Sequence, residues 1–320
     1  MKQKLLICGG TGFIGRNLAT RLADQGTYEV YATCNRRPAF SHPGVQFVQA
    51  DLLDKDQVTR AMEGMDLVVL SAATTSGAGD IANRPHIHIT DNVILNSLVL
   101  RAAWEAKIKH LVFFSCTLMY QSQEQAIQER DFDANAEMYP AYFGGGWMKV
   151  YIEKQAEFFA RLGGTRFTLL RHSNIYGPHD KYDLAKSHVF GATVTKVMTN
   201  QDGKLTVWGT GAAERDLLHV DDLCSCVETV LERQQEPFAL FNVGSGRAVS
   251  VADLVKMIIQ ASGKSIEISF DTTKPDFKTK VHLDCGKIKA ALGWEPNISL
   301  ETGIQKTLAW YRDNLLGPTA

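Results

Sequence analysis

The chain has 320 residues, 45% of them hydrophobic and 22% charged, with a formal net charge of −1. This is the composition of a globular protein with a sizeable core, and the balanced charge leaves no electrostatic footprint for nucleic acid or an anionic membrane surface. No run approaches the ~20 apolar residues of a membrane span, and Met1–Cys8 lacks the long apolar stretch of a signal peptide. Six cysteines dispersed through apolar segments suit a reducing cytoplasm, the expected location, better than a disulfide framework.

The apolar run Leu5–Cys8 predicts a buried parallel strand. It leads into Gly9, Gly12 and Gly15 at G-x-x-G-x-x-G spacing, and the helix Arg16–Asp24 follows. Glycines allow a sharp turn and the close approach of a pyrophosphate, and the new helix offers free N–H groups and a positive dipole end. Strand, glycines and helix together read as the start of a dinucleotide-binding βαβ unit, with Thr11, Phe13 and Ile14 completing the loop.

Glu29–Cys34 is the second strand. The loop Asn35–Phe40 leaving it lies where an adenosine ribose is read: a carboxylate there binds the free 2′-hydroxyl, whereas arginine suits a 2′-phosphate. Arg36 and Arg37 occupy this loop and no acid does, so NADP is expected, with NAD as the alternative. Val45–Ala50 is a third strand, ending at Asp51 and Leu52 beside the adenine edge. Leu67–Ser71 is a fourth, running into Ala72, Ala73 and the loop Thr74–Asp80, where small residues let a cofactor lie against the backbone. The helix Asn92–Lys107 carries Val93, Leu95, Leu98, Val99, Ala102 and Ala103 at helical spacing. His110–Phe114 is the fifth strand, followed by Ser115, Cys116 and Thr117. The segment Gln121–Gly146 is irregular, and Gly144–Gly146 are expected to prevent a continuous helix before Trp147–Leu162. Phe167–Arg171 is the sixth strand.

Near-continuously apolar strands alternating with helices imply an α/β fold, a Rossmann-type doubly wound parallel sheet. From His172 the pattern loosens. Tyr176-Gly177-Pro178 is a turn, and Lys196–Val207 holds a short hinge before the strand Leu205–Trp208. Leu217–Leu231 reads strand then helix, and Phe241–Val243 is another strand. Val251–Ser262, Ser265–Phe270 and Leu300–Asn314 read helix, strand, helix. The expected organisation is a dinucleotide-binding domain of residues 1–171 plus about 216–245, and a smaller mixed α/β substrate lobe of residues 172–215 plus 246–320. Cys224 and Cys226 point apart on a helix, and His86 with His88 is too thin a set for a ligand cluster, so no metal site is expected.

The motifs Gly9-Gly10-Thr11-Gly12-Phe13-Ile14-Gly15, Asp51-Leu52, Ala72-Ala73, Asn174-Ile175-Tyr176-Gly177-Pro178 and His219-Val220-Asp221-Asp222-Leu223 stand in a recognisable order. Over nearly the whole chain they resemble the extended short-chain dehydrogenase/reductase superfamily, and within it the NAD-dependent epimerase/dehydratase family. The resemblance implies an enzyme acting on a nucleotide-diphosphate sugar, expected to be a GDP-sugar, by oxidation or reduction at a ring carbon with or without epimerisation through a 4-keto intermediate. It assigns Gly9, Thr11, Gly12, Phe13, Ile14, Gly15, Arg36, Asp51, Leu52, Ala72, Ala73, Asn92, Lys149, Asn174 and Ile175 to the cofactor. Asn174, His188, Val207, Trp208, Arg215 and Lys280 fall to the substrate, with Trp208 packing on the base and Arg215 on the diphosphate. Lys280 stands where the family has a second arginine; it keeps the charge and loses the planar fork. A homodimer is expected through the helices Asn92–Lys107 and Trp147–Leu162.

The superfamily's chemistry pairs a Ser or Thr with a Tyr four residues before a Lys. That spacing puts phenol and ammonium on one helical face and draws the phenol pKa down from ~10, so it exchanges a proton with substrate while the nicotinamide exchanges hydride. Here Lys149 is present, followed by Glu153, but Gly145 occupies the tyrosine's place. Counting four back from the strand-end Tyr120 gives Cys116 where the hydroxyl is expected. Counting two back gives Leu118, where epimerising members carry a cysteine and dehydratases an acid. Cys116, a thiol of reference pKa ~8.5, and Tyr142, seven residues before Lys149, are the candidates for proton transfer, and His188 is the retained acid at the sugar. The absent tyrosine opens a second reading, a protein that binds cofactor and nucleotide sugar without turnover and serves as a partner or regulator.

Overall fold

Strands such as KLLIC and LVVL are apolar on both faces and require cover above and below. The computed structural model, which describes residues 2–74, 84–184, 186–273 and 280–317, meets that requirement with helices on each side of one sheet. The first part of the chain runs β1 (Lys4–Cys8), α1 (Phe13–Gln25), β2 (Glu29–Cys34), β3 (Val45–Gln49), α2 (Lys55–Met62), β4 (Leu67–Leu70), α3 (Thr90–Glu105), β5 (His110–Cys116), α4 (Phe143–Leu162) and β6 (Arg166–His172). The second part adds β7 (Asn174–Tyr176), α5 (Val189–Met198), β8 (Lys204–Trp208), β9 (Glu214–His219), α6 (Val220–Arg233), β10 (Phe238–Val243), β11 (Ala248–Ser250), α7 (Val251–Ser262), β12 (Glu267–Asp271), β13 (Lys280–Val281), α8 (Gly286–Leu292) and α9 (Leu300–Tyr311).

The main sheet has seven parallel strands in the order β10-β6-β5-β4-β1-β2-β3. The reversal of direction at β1 is the switch point at which ligands bind in such sheets, beyond the carboxyl ends of the strands. Period-two alternation divides the core. Leu5 and Ile7 pack with Leu18 and Leu22 of α1 and Val227 of α6, whereas Leu6 and Val68 pack with Val58 of α2, Val99 of α3 and Ile152 of α4. A third core, built on Tyr176, Phe190, Val194, Leu205, Leu254, Ile258, Ile304 and Leu308, holds the smaller lobe. There β9 pairs with β7, β11 and β13, and β8 pairs with β12. The buried Asp216 carboxylate of β9 accepts from Ser245 N (2.8 Å), Ser245 Oγ (2.7 Å) and Leu283 N (3.0 Å), which ties these segments together.

Several boundaries differ from expectation. Helix α1 begins at Phe13, directly after Gly12, and β5 and β6 extend to Cys116 and His172. The three glycines do not interrupt a helix: α4 starts at Phe143 and runs through Gly144–Gly146. First-turn residues have no intrahelical N–H bond to lose, and the turn sits against its neighbours too closely for larger side chains. A Cβ on Gly146 would lie 2.6 Å from Met138 Sδ, and one on Gly144 2.9 Å from Ile89 Cδ1. Of the segment Lys196–Val207, the first three residues end the helix α5, which Phe190, Val194 and Val197 seat in the third core, and residues 199–203 form the short connection to β8. The strands β7, β11 and β13 and the helix α8 are too short to show a period.

His110 is fully buried at the start of β5, its Nε2 2.8 Å from Thr168 Oγ1, and burial pushes its pKa down to about 3. The folded state therefore refuses a proton that the unfolded state accepts near pH 6.5. Stability is intact above that pH and falls as pH drops, by about 1.4 kcal/mol per unit for this one group. Urea denaturation between pH 4.5 and 7 checks this: His110→Gln shows the shallower pH dependence.

Candidate active site

The phosphate loop is shaped by steric necessity. Gly9 has φ of +85°, and a Cβ on it would lie 2.7 Å from Ala72 Cα; a Cβ on Gly15 would lie 2.2 Å from Gly9 O. Gly9 N donates to Thr33 Oγ1 (2.8 Å) and Gly12 N to Gly9 O (3.0 Å). Helices α2, α7 and α9 have side-chain caps from Asp54, Ser250 and Ser299, but α1 starts at Gly12 with none. Its first-turn N–H groups and dipole end are therefore available to an anion. This loop fits a dinucleotide's pyrophosphate.

Beside Thr11 and Gly12 a cavity of about 610 Å³ opens, lined by Arg16, Arg37, Phe40, His179 and Trp310 among others. Arg16 lies over the Phe40 ring, 4.7 Å from its centroid. Arg37 lines this cavity and Arg36 does not; Arg36 stays exposed beside it. Arg16 was not singled out in sequence because it reads as an ordinary helix residue. Asp51 spends its carboxylate on Leu53 N (3.0 Å), and Leu52 is buried. Asn92 is buried and wholly engaged with backbone: its Oδ1 accepts from Thr74 N (2.9 Å), and its Nδ2 donates to Thr74 O (2.9 Å) and His88 O (2.7 Å). It anchors the chain after Ala72 and Ala73. The rest of that loop, 75–80, lies outside the described residues.

At the carboxyl ends of β5 and β6 the structure brings Cys116 and Lys149 together. Lys149 Nζ donates to Phe114 O (2.8 Å) and sits 4.6 Å from the centroid of the Phe113 ring. Burial draws the ammonium pKa down, against the pull of Cys116 and Glu153. Burial also pushes the Cys116 thiol up, against the opposing charge of Lys149. Tyr142 ends a short 3₁₀ turn at the head of α4, its ring 5.4 Å from that of Tyr139. It stands two turns, about 10 Å along the axis, before Lys149. Gly145, where a tyrosine is expected, lies close to Leu118: a Cβ on it would be 3.1 Å from Leu118 Cδ1.

Beneath this rim lies a polar network that sequence reasoning passed over. Arg171 and Glu153 form a two-pronged pair (Nε–Oε1 2.9 Å, Nη2–Oε2 2.6 Å) with side chains 4% and 5% exposed. Ser115 Oγ donates to Glu153 Oε1 (2.6 Å), Arg171 Nη1 to Tyr120 Oη (2.8 Å), and Tyr120 Oη to Asn242 Oδ1 (2.7 Å). Burial and the Arg171 contacts shift the Tyr120 phenol in opposite senses, and it ends up pushed to about 12, too high for a proton shuttle. An arginine inside the strand RFTLLRH was the available signal, since a buried guanidinium demands an acid.

The residues expected on the substrate side are spread over several elements of the second part of the chain. Trp208 ends β8 with 63% of its surface exposed, but Val207 is buried in the third core. His188 stands exposed at the start of α5, where its side chain makes no capping hydrogen bond. Asn174 Nδ2 donates to Asp216 O (3.0 Å), tying β7 to β9, and Ile175 packs on the first core. Arg215 and Lys280 lie on adjoining strands, with Lys280 opposite Glu214 and Val281 opposite Arg215. The Lys280 ammonium is paired with Glu124 (2.8 Å) and Glu214 (3.5 Å).

A sequence model of the NAD dependent epimerase/dehydratase family matches residues 5–244. Among curated relatives, the GDP-L-fucose synthase of Escherichia coli (strain K12) is 27% identical across 98% of each chain. Among solved structures, a UDP-glucose 4-epimerase of Thermotoga maritima with UDP-glucose is 25% identical, with a TM-score of 0.86 over 98% of this chain and 100% of that one. A dTDP-glucose 4,6-dehydratase of Streptomyces venezuelae, solved with NAD bound, is 25% identical with a TM-score of 0.81 over 98% of each chain.

The buried pair supplies a test. Arg171→Met leaves Glu153 charged and unpaired, and is expected to destabilise the protein by about 3–5 kcal/mol; adding Glu153→Leu recovers most of that loss. Urea midpoints at unchanged m-value provide the measurement.

Proposed function

Because the chain belongs to the NAD-dependent epimerase/dehydratase family, we propose that it is a nicotinamide-dependent enzyme acting on a nucleotide-diphosphate sugar, most readily a GDP-sugar, and that it prefers NADP. The observation that carries this reading is its full-length likeness to proteins whose names specify nucleotide-linked sugars. The uncapped glycine loop supports the cofactor, and Arg16 and Arg37 beside it support the 2′-phosphate. A guanidinium recognises a phosphate dianion through paired charged hydrogen bonds.

Bound nicotinamide supplies hydride exchange; the protein supplies position and protons. We assign Lys149, whose Nζ donates to Phe114 O, to the nicotinamide ribose. Cys116 and Tyr142 are two candidates for the proton, and His188 acts at the sugar if the reaction includes epimerisation. Trp208 offers a flat exposed face for a base. Arg215 offers charge for the diphosphate, and Lys280 reaches it only by leaving Glu124 or Glu214.

One observation favours a second reading, a binding protein without turnover: Gly145, which carries no side chain, stands four residues before Lys149 where the resemblance expects the phenol. A panel of GDP-sugars followed by nicotinamide absorbance separates the two. Turnover supports the enzyme; silence across the panel with NADP(H) bound supports the binder. Fluorescence titration checks the cofactor: Arg37→Ala is expected to weaken NADP(H) binding by about 10–100-fold, the loss of one or two charged hydrogen bonds, and to leave NAD(H) binding nearly unchanged.

The exposed faces of α3 and α4 support a homodimer. Tyr151, Phe158 and Leu162 line one side of α4 at spacings of seven and four, 53%, 56% and 51% exposed, and Ile94 of α3 is also exposed. Phe158→Glu is expected to convert a dimer into a monomer in sedimentation velocity without lowering helicity; a monomeric wild type removes this assembly.

A further inference from the structure

The ladder between β5 and β6 sets Cys116 directly opposite His172, one step beyond Ser115 opposite Arg171. Residues in register on adjacent strands project to the same face, and both stand at the carboxyl rim where Lys149 reaches in. The His172 ring is tightly placed. It meets Phe114 edge-on at 5.9 Å, and its Nδ1 is 2.7 Å from Ser173 O. A carbonyl only accepts, so the ring proton is assigned to Nδ1 and the lone pair to Nε2. The neighbouring strand on the other side presents Val243 at the same level. Burial, with the Lys149 charge adding to it, pulls the imidazole down to about 4, so it is neutral at pH 7. The residue is half-buried.

These features describe a base: neutral, fixed in one tautomer, and oriented by a backbone acceptor. We propose that His172 takes over the work of the missing phenol, receiving the substrate hydroxyl proton at Nε2, with Cys116 as its neighbour. The assignment rests on the nicotinamide-dependent reading above. In the oxidising direction the substrate carbinol gives its O–H proton to Nε2 and its C–H hydride, with the electron pair, to an oxidised nicotinamide, and a carbonyl remains. In the reducing direction the imidazolium returns the proton to the new alkoxide.

The test uses the full chain with ¹⁵N-labelled histidine and NADP⁺ as probe. At pH 7 the His172 ring is expected in the neutral Nδ1–H form, and NADP⁺ is expected to move its Nε2 signal. His172→Gln should bind NADP⁺ within about threefold of wild type, by fluorescence titration. On any GDP-sugar that turns over, His172→Gln should lower kcat by about a hundredfold or more with little change in KM, whereas Cys116→Ala should lower it less than about tenfold. A panel that stays silent with NADP⁺ bound removes the enzymatic reading on which the assignment stands. NADP⁺ binding that leaves the Nε2 signal in place overturns the assignment, as does a His172→Gln enzyme retaining turnover within about threefold of wild type. Failure of the wild type to bind NADP⁺ overturns instead the cofactor reading on which the assignment stands.

Discussion

The Arg171–Glu153 pair is the interaction on which the rim depends. It joins the last turns of β6 to the middle of α4, and Ser115, Tyr120 and Asn242 extend it to β5, the following loop and β10. Removing two charges from water is costly, and such a pair persists only when its remaining hydrogen-bonding capacity is used. Here Glu153 also accepts from Ser115, and Arg171 also donates to Tyr120 and Glu129 O. Lys149 lies one turn before Glu153, so the same contact that satisfies the carboxylate sets the rotation of α4 and delivers the ammonium to Phe114 O. The pair acts on the chemistry through placement.

Above that platform the site is complementary within itself. Gly145 lies against Leu118. Gly144 and Gly146 let the start of α4 approach Ile89, Met138 and the Leu118 carbonyl. The phosphate loop, meanwhile, retains the close approaches that only glycine permits at Gly9 and Gly15.

Much of the fold was legible locally. The first six strands were placed within two residues because each is a short apolar run bounded by turns, and the glycine loop declared itself by standing between a strand and a helix. The smaller lobe was harder. The strands β7, β11 and β13 have two or three residues each, below any usable period, and β9 earns its place by pairing with three partners far apart in sequence. The helix α4 was shortened in prediction by counting three glycines as breakers, a local cost that tight packing overrode.

Sequence alone determined the cofactor loop, the alternation that demands a covered parallel sheet, and the absence of a tyrosine four residues before Lys149. Each is a matter of residue type at short spacing, where backbone sterics and hydrophobic period act directly. Only the tertiary structure decided which groups gather at the rim. It set His172 opposite Cys116, turned Arg37 rather than Arg36 into the cavity, closed Lys280 onto Glu124 and Glu214, and joined Arg171 to Glu153. These contacts depend on strand register and on charges that meet across long stretches of chain. Their energies come from desolvation at a particular depth, which spacing along the chain does not carry.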